Sequence, residues 1–483
     1  MHSIPILSLA ALLPLAAPLP QAAPDDIHTQ IEAYLDERFE ATGIPGAAYA
    51  IIDLEGETLT AAWGEDGDGE PVATDTPFLW GSVAKPVTAT AVMTLVEDGL
   101  LDLDAPVVEY LPDFRLSDPD TSDRITLRHL LEQSSGIPEG TDVTDRYDEV
   151  EDPYGEAVAD LAGVDPRGEP GEAFEYASAN YLVVGAVVEA VTGEPFEAYL
   201  REAVLDPLGM DEAVATTEEA AAVPPGHAVA FGQAVPIETR FDPTGPSYGY
   251  LGGSVEDLAA FAEAMLSGGG VVTPESVALM HTGAAEVSDT IDYGLGWRVD
   301  ERNADLGTTT VWHTGGTPGF TAGVILLPEL GKAVAVVQNQ YGYFQDGALV
   351  GTMLGAARLL AGGEPAELES DPLYATILAV LSALVLAALG FAAWTVTRIV
   401  GVRESSREVG GRVRTVVAAV LWLVAAGALA YLVFVFAPGM APSREAFFLL
   451  LPDVAWLATA LGGIVILLAA LRICYAALRL RRV

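Results

Sequence analysis

The spacing of hydrophobic and polar positions changes period several times along the chain. Residues 27–42 put Ile31, Tyr34, Leu35 and Phe39 at helical spacing, which predicts an amphipathic helix. AAYAIIDL and ETLTAAWG follow on either side of Glu55-Gly56 and predict two strands joined as a hairpin. A long stretch of helix signals broken by Pro/Gly loops comes next. Strand-like runs return at 293–299, 307–313, 320–327 and 332–339, and a last helical pattern covers 345–361. Helix, strands, helical insert, strands, helix is the order expected of an α+β fold. The short hairpin loops imply an antiparallel sheet. The terminal helices flank one face, and the insert forms a second, mostly helical lobe. A binding cleft is expected between the lobes.

Beyond residue 372 the pattern is different. Runs at 373–396, 416–437 and about 450–471 are apolar throughout and long enough to span a hydrocarbon core of roughly 30 Å. Arg398, Arg403, Arg407, Arg412 and Arg414 fall between the first two runs, and Arg472, Arg479, Arg481 and Arg482 end or follow the third. The positive-inside tendency puts both arginine-rich segments in the cytoplasm and residues 27–372 outside it. Residues 1–23, apolar and ending in small side chains, read as a signal peptide, with an uncleaved anchor as the alternative. Gly, Pro and acidic residues at 362–372 mark a linker, which reaches about 35 Å at full extension. The organisation expected is therefore a globular domain at 27–361, tethered close to a lipid bilayer by a membrane domain at 373–483. The localisation expected is a multi-pass cell-membrane protein with its globular part extracytoplasmic. No ionisable residue lies mid-span, which argues against a transporter or channel. A protein partner for the spans is not identified.

Charge sharpens this division. Residues 1–363 carry 60 acidic and 13 basic side chains, whereas residues 364–483 carry 8 and 10. The outer part would repel nucleic acid, whose binding rests on Lys and Arg neutralising phosphates. Lys85 and Lys332 are the only lysines in the chain. The single cysteine, Cys474, lies in an apolar run, and neither a cysteine zinc cluster nor HExxH is present. The acids of GEDGDGE near Asp66 lack a full calcium loop and read as a solvated turn. No metal or organic cofactor is expected.

The segment with chemistry is Trp80-Gly81-Ser82-Val83-Ala84-Lys85-Pro86, which opens a helical run ending at Gly99. Proline fits only the first turn of a helix, so Pro86 fixes the start near Ser82. The Ser82 hydroxyl and its own N–H then sit at the positive end of the helix, with Lys85 one turn on and on the same face. A serine needs a base to become a nucleophile, and burial of a lysine favours the neutral amine that can serve. Read alone, the same four residues also fit a capping serine beside a surface lysine.

Longer stretches carry a family likeness. IPGAAYAI, TPFLWGSVAKPVTATAVMTLVEDGLLDLDAPVVEYLP, ITLRHLLEQSSGIP, YASANYLVVGAVVEAVTG, DPLGM, YLGGSVEDLAAFAEAML, YGLGW and HTGGTPGF, in this order, resemble the serine β-lactamase and penicillin-recognising hydrolases, especially their class C-like branch. The resemblance covers about residues 27–361. It implies acyl-enzyme chemistry on an ester, a D-amino-acid peptide or a β-lactam-like substrate. Ser82 matches the nucleophile and Lys85 its basic partner. Tyr176 matches the tyrosine of a Tyr-x-Asn element and implies a proton relay. Ser178 stands where that element has asparagine, a departure that puts amide recognition in doubt; Asn180 matches a different position. His313-Thr314-Gly315 matches the Lys/His-Thr-Gly strand. The resemblance implies that His313 holds a carboxylate or assists proton transfer, that Thr314 and Gly315 bind substrate, and that the Gly316 N–H joins that of Ser82 as an oxyanion hole. Gln133 stands where histidine is common and implies nothing catalytic.

Two motifs read as decoys. His281-Thr282-Gly283 follows a helical pattern rather than a strand, and Ser247 in GPSYG lacks the strand-turn-helix setting of a nucleophile elbow. A non-catalytic sensor or peptide-binding module is the alternative to the enzyme, motivated by Ser178.

Overall fold

The computed structural model describes residues 27–367, 372–404, 411–436 and 444–480; the expected signal at 1–23 and part of the linker lie outside these residues. Helix α1 (Ile27–Thr42) buries Ile31, Leu35 and Phe39, the apolar stripe read from the sequence. Strands β1 (Gly46–Asp53) and β2 (Leu59–Gly64) form the first hairpin. Helix α2 (Ala84–Glu97) opens the helical lobe, whose central helix is α3 (Ser178–Thr192). The hairpin of β3 (Gly226–Ala230) and β4 (Gln233–Ile237) precedes helix α4 (Val255–Ser267). Strands β5 (Ala285–Ser288), β6 (Ile291–Tyr293), β7 (Arg298–Asp300), β8 (Thr310–Thr317), β9 (Phe320–Leu327) and β10 (Lys332–Gln338) return to the sheet, and helix α5 (Asp346–Leu360) closes the domain. Among the described residues the main sheet runs β2-β1-β10-β9-β8-β7-β6-β5, antiparallel at every pairing.

Both faces of this sheet are buried, because alternate residues along each strand point to opposite sides. Tyr49, Ile51, Ile325, Val334 and Val336 pack against Leu35 and Phe39 of α1 and Leu349 and Met353 of α5. Ala48, Ala50, Val324, Ala335 and Val337 face the helical lobe, where Trp80, Val87, Tyr181 and Phe261 complete the larger core. This is the two-lobed α+β architecture expected. One strand is corrected: 293–299 is two strands, because Gly294-Leu295-Gly296-Trp297 turns the chain. Gly296 has φ +83°, and the Gly294 N–H bonds the Trp297 carbonyl at 2.8 Å. The run expected at 307–313 instead starts at Thr310 and continues through both glycines to Thr317.

Three helices among the described residues are long and apolar enough to cross a membrane, at Leu373–Gly401, Val413–Val435 and Pro452–Leu480. They belong to α6 (Leu373–Glu404), α7 (Arg412–Tyr431) with its π-helical extension Leu432–Phe436, and α9 (Pro452–Leu480). The short helix α8 (Arg444–Leu450) precedes the last.

Candidate active site

A 3₁₀ turn at Gly81–Val83 leads directly into α2, so Ser82 and Lys85 share one coil of backbone. Lys85 is wholly buried. Its Nζ lies 2.9 Å from Ser82 Oγ, 2.7 Å from the Tyr248 carbonyl and 3.4 Å from Ser178 Oγ. The Tyr176 ring centroid is 4.9 Å from the same nitrogen. The amine is thus aimed at the serine by a carbonyl on one side and an aromatic face on the other. Thr88, one turn further along α2, donates to the Ser247 carbonyl at 2.9 Å and ties the helix to the loop that carries Tyr248.

Strand β8 lies across this turn. Its neighbour β7 pairs only with Thr310–Trp312, so among the described residues that edge has no strand partner from His313 onward and faces the cleft. The approach is so close that only glycine fits. A Cβ on Gly315 would fall 2.2 Å from the Ser82 nitrogen, and one on Gly81, at φ +56°, would fall 2.5 Å from the Gly316 nitrogen. Ser82, Tyr176, Ser178, Thr314, Gly315 and Gly316 all line one cavity of about 330 Å³. Glu139, Asp145, Arg298 and Asp346 line it too.

His313 departs from expectation. It is buried, and it is absent from the lining of the cavity. Its ring nitrogens are engaged internally, Nδ1 with the Thr314 carbonyl at 2.7 Å and Nε2 with the Tyr293 hydroxyl at 3.0 Å. The Tyr176 ring, 6.4 Å away, packs beside it. Burial, with Arg298 and Lys85 nearby, pushes the imidazole well below its usual range, so it is neutral. A neutral ring with both nitrogens committed does not grip a substrate carboxylate. Tyr176 lines the cavity, but no hydrogen bond joins its hydroxyl to Ser82 or Lys85, so the relay is not preformed.

The segment carrying Tyr176 and Ser178 is held by groups to which sequence reading gave no role. Gln133, buried at φ +58°, accepts from the Ala177 N–H at 2.9 Å and from Asn180 Nδ2 at 2.6 Å. Asn180 in turn accepts from Ser135 Oγ at 2.5 Å and lies outside the cavity lining. Glu139 accepts from the Ser178 N–H at 2.8 Å, and burial raises its carboxyl above the usual range. Ser247 bonds the Thr244 carbonyl and is buried, as a loop serine should be, and His281 caps a helix end. The GPSYG loop still matters, because Tyr248 supplies the carbonyl that holds Lys85. The Tyr248 hydroxyl donates to Asp242 at 2.7 Å and accepts from the Asp145 N–H at 2.7 Å. Burial raises both carboxyls. No motif reports a backbone carbonyl, so this part of the site carried no readable signal.

The outer rim comes from the C-terminal apolar segment. Ala446 and Leu450 of α8 line the cavity. Arg240 pairs with Glu445 at 3.3 Å, and Asp453 at the head of α9 accepts from the Phe231 N–H at the tip of the β3–β4 hairpin at 2.7 Å.

An antiparallel sheet beside a helical lobe, with a serine–lysine turn under a glycine-lined strand, defines the fold class shared by β-lactamases and penicillin-binding proteins. The chain belongs to the beta-lactamase family, whose model matches residues 31–352. Penicillin-binding protein 4 of Amycolatopsis lactamdurans is 30% identical over 329 residues, which cover 64% of this chain and 85% of that one. Among solved structures, the octameric penicillin-binding protein homologue from Pyrococcus abyssi is 27% identical, with a TM-score of 0.61 over 70% of this chain and 78% of the other. The D-stereospecific amidohydrolase from a Streptomyces species is 25% identical, with a TM-score of 0.53 over 64% and 94%.

Proposed function

We propose that the protein is a membrane-anchored serine hydrolase that forms an acyl-enzyme on Ser82. The observation that carries this reading is the 2.9 Å contact between Lys85 Nζ and Ser82 Oγ at the floor of an open cavity. Lys85 takes the Ser82 proton as Oγ bonds to the substrate carbonyl carbon. The N–H groups of Ser82 and Gly316 hold the oxyanion. Collapse expels the leaving group, which takes the proton back from Lys85, with Tyr176 as the relay once substrate brings its hydroxyl into line. Water then repeats the sequence on the acyl-enzyme. His313 has no direct part.

Substrate chemistry follows from the walls. Glu139, Asp145 and Asp346 outnumber Arg298, which already lies in the field of Asp346. That balance suits an ester or an amide without a free carboxylate better than a β-lactam. Ala446 and Leu450 at the rim support entry to the cavity from beside the bilayer surface, and the arginine distribution supports an extracytoplasmic position for this side.

The test is a fluorophosphonate probe on membranes that contain the full chain. Ser82→Ala is expected to abolish labelling, and labelling that persists in that variant removes the assignment. Turnover of p-nitrophenyl esters, D-Ala peptides and nitrocefin then ranks the substrates, with esters expected first. Slow labelling without turnover of any of them would favour a sensor.

A further inference from the structure

At the end of the spans remote from the catalytic domain, a second cavity of about 470 Å³ opens between α6, α7 and α9. Arg398, Arg414, Arg472 and Arg479 line it, so all three spans contribute a guanidinium. Among the described residues no carboxylate lines it. Among the described residues, the buried Nε atoms of Arg472 and Arg479 have no hydrogen-bond partner. Arg472 is held in place by aromatic faces, with its guanidinium 4.5 Å from the Phe391 ring centroid and 5.2 Å from those of Trp394 and Trp422. The Arg398 guanidinium sits 5.4 Å from the Trp394 ring centroid. Such contacts fix the planes of the guanidiniums and leave N–H edges free to bond.

Four like charges gathered in one crevice repel each other, and buried donors without acceptors add to the cost. An anion with several oxygens relieves both at once, and guanidinium forks match phosphate geometry. Depth agrees with this. Trp394 follows Tyr374 by 20 residues of one helix, a rise of about 30 Å, so the arginines lie one hydrocarbon thickness from the end of the spans that meets the catalytic domain. That is the headgroup level of the opposite leaflet. Arg398 and Arg414 are exposed at the mouth, where a headgroup can enter sideways from the lipid.

We propose that this cavity binds a phosphate anion, carried on the headgroup of an anionic phospholipid. Serving only as a topology signal would not require the four arginines to converge or two Nε atoms to be buried unpaired.

The experiment uses the full chain purified in a neutral detergent and native mass spectrometry with phosphatidylglycerol, phosphatidylcholine or inorganic phosphate. Retention of phosphatidylglycerol is expected to exceed that of phosphatidylcholine about tenfold. It should fall by a similar factor when Arg472→Gln and Arg479→Gln are combined, and Arg472→Lys should keep part of it. Competition by inorganic phosphate, or binding of phosphate alone, would assign the site to the free anion. Equal retention of the two lipids without phosphate binding, or binding untouched in the double variant, would overturn the proposal. If the double variant fails to run as a single species on gel filtration, Arg414→Gln at the exposed mouth decides: it must weaken phosphatidylglycerol retention, and no change overturns the site.

Discussion

The side-chain nitrogen of Lys85 lies closer to the Tyr248 carbonyl, at 2.7 Å, than to Ser82 Oγ, at 2.9 Å. The amine is therefore positioned by the loop opposite as much as by its own helix. Lys85→Met keeps most of the buried volume and removes the proton acceptor. Acylation by the probe should fall by about 10²–10⁴-fold, the usual contribution of a placed general base. A purified Lys85→Met protein that labels at the native rate would assign Ser82 activation elsewhere.

Gly315→Ala tests the contact between strand and turn. The new methyl meets backbone, 2.2 Å from the Ser82 nitrogen and 2.3 Å from the Trp80 carbonyl oxygen, and neither can swing aside. Displacement of the oxyanion donors should slow acylation by about 10²–10³-fold. Gly347→Ala, whose methyl meets nothing within 4 Å, is the control and should label normally.

Gln133→Ala leaves the Ala177 N–H and Asn180 Nδ2 without their acceptor in a buried setting. The loss should be on the order of 2 kcal/mol, read as a lower urea midpoint. The Tyr176 and Ser178 segment should loosen with it, raising KM more than it lowers kcat.

Ser178→Asn restores the longer amide of the related hydrolases at a position 3.4 Å from Lys85. One added hydrogen bond to an amide substrate is worth about tenfold in kcat/KM. The ratio of D-Ala peptide to ester turnover is expected to rise by that factor. An unchanged ratio would show that Ser178 does not set the preference.

His281 gives a pH dependence with a defined sign. Its ring stands 5.2 Å from Trp297, and burial depresses it from 6.5 to about 4. The folded state thus holds the neutral ring, while the unfolded chain binds a proton near 6.5. Stability from this residue is full above that pH, declines as pH falls, and stops declining below about 4. The shift corresponds to roughly 3 kcal/mol. Thermal melts from pH 7 to 4 should therefore fall less steeply in His281→Phe than in the native chain. The raised carboxyls of Glu139, Asp145 and Asp242 act in the opposite sense, so the difference between the two proteins is the quantity to read.

Much of the fold was legible because its elements have clear periods. Ile31, Leu35 and Phe39 mark α1 by spacing alone, and the runs of β9 and β10 are apolar on both faces. The strand expected at 293–299 failed because period cannot reveal a turn made by Gly294 and Gly296. Ser82 and Lys85 could be placed together because one helical turn sets their distance. His313 could not: a motif gives its position on a strand, but its depth depends on Tyr176 and Tyr293, which arrive from distant segments. The roles of Gln133 and the Tyr248 carbonyl were likewise invisible, since the first depends on partners more than forty residues away and the second acts through a backbone group.

The contribution of Ala446 and Leu450 to the cavity has a practical bearing. A globular domain clipped at residue 362 would retain Ser82, Lys85 and the glycine strand but lose one wall of the chamber, along with the brace from Asp453 to the β3–β4 hairpin. On the proposed acyl-enzyme chemistry, such a fragment is expected to accept bulkier or more water-soluble acyl donors than the full chain. Its substrate profile would then differ from that of the full chain.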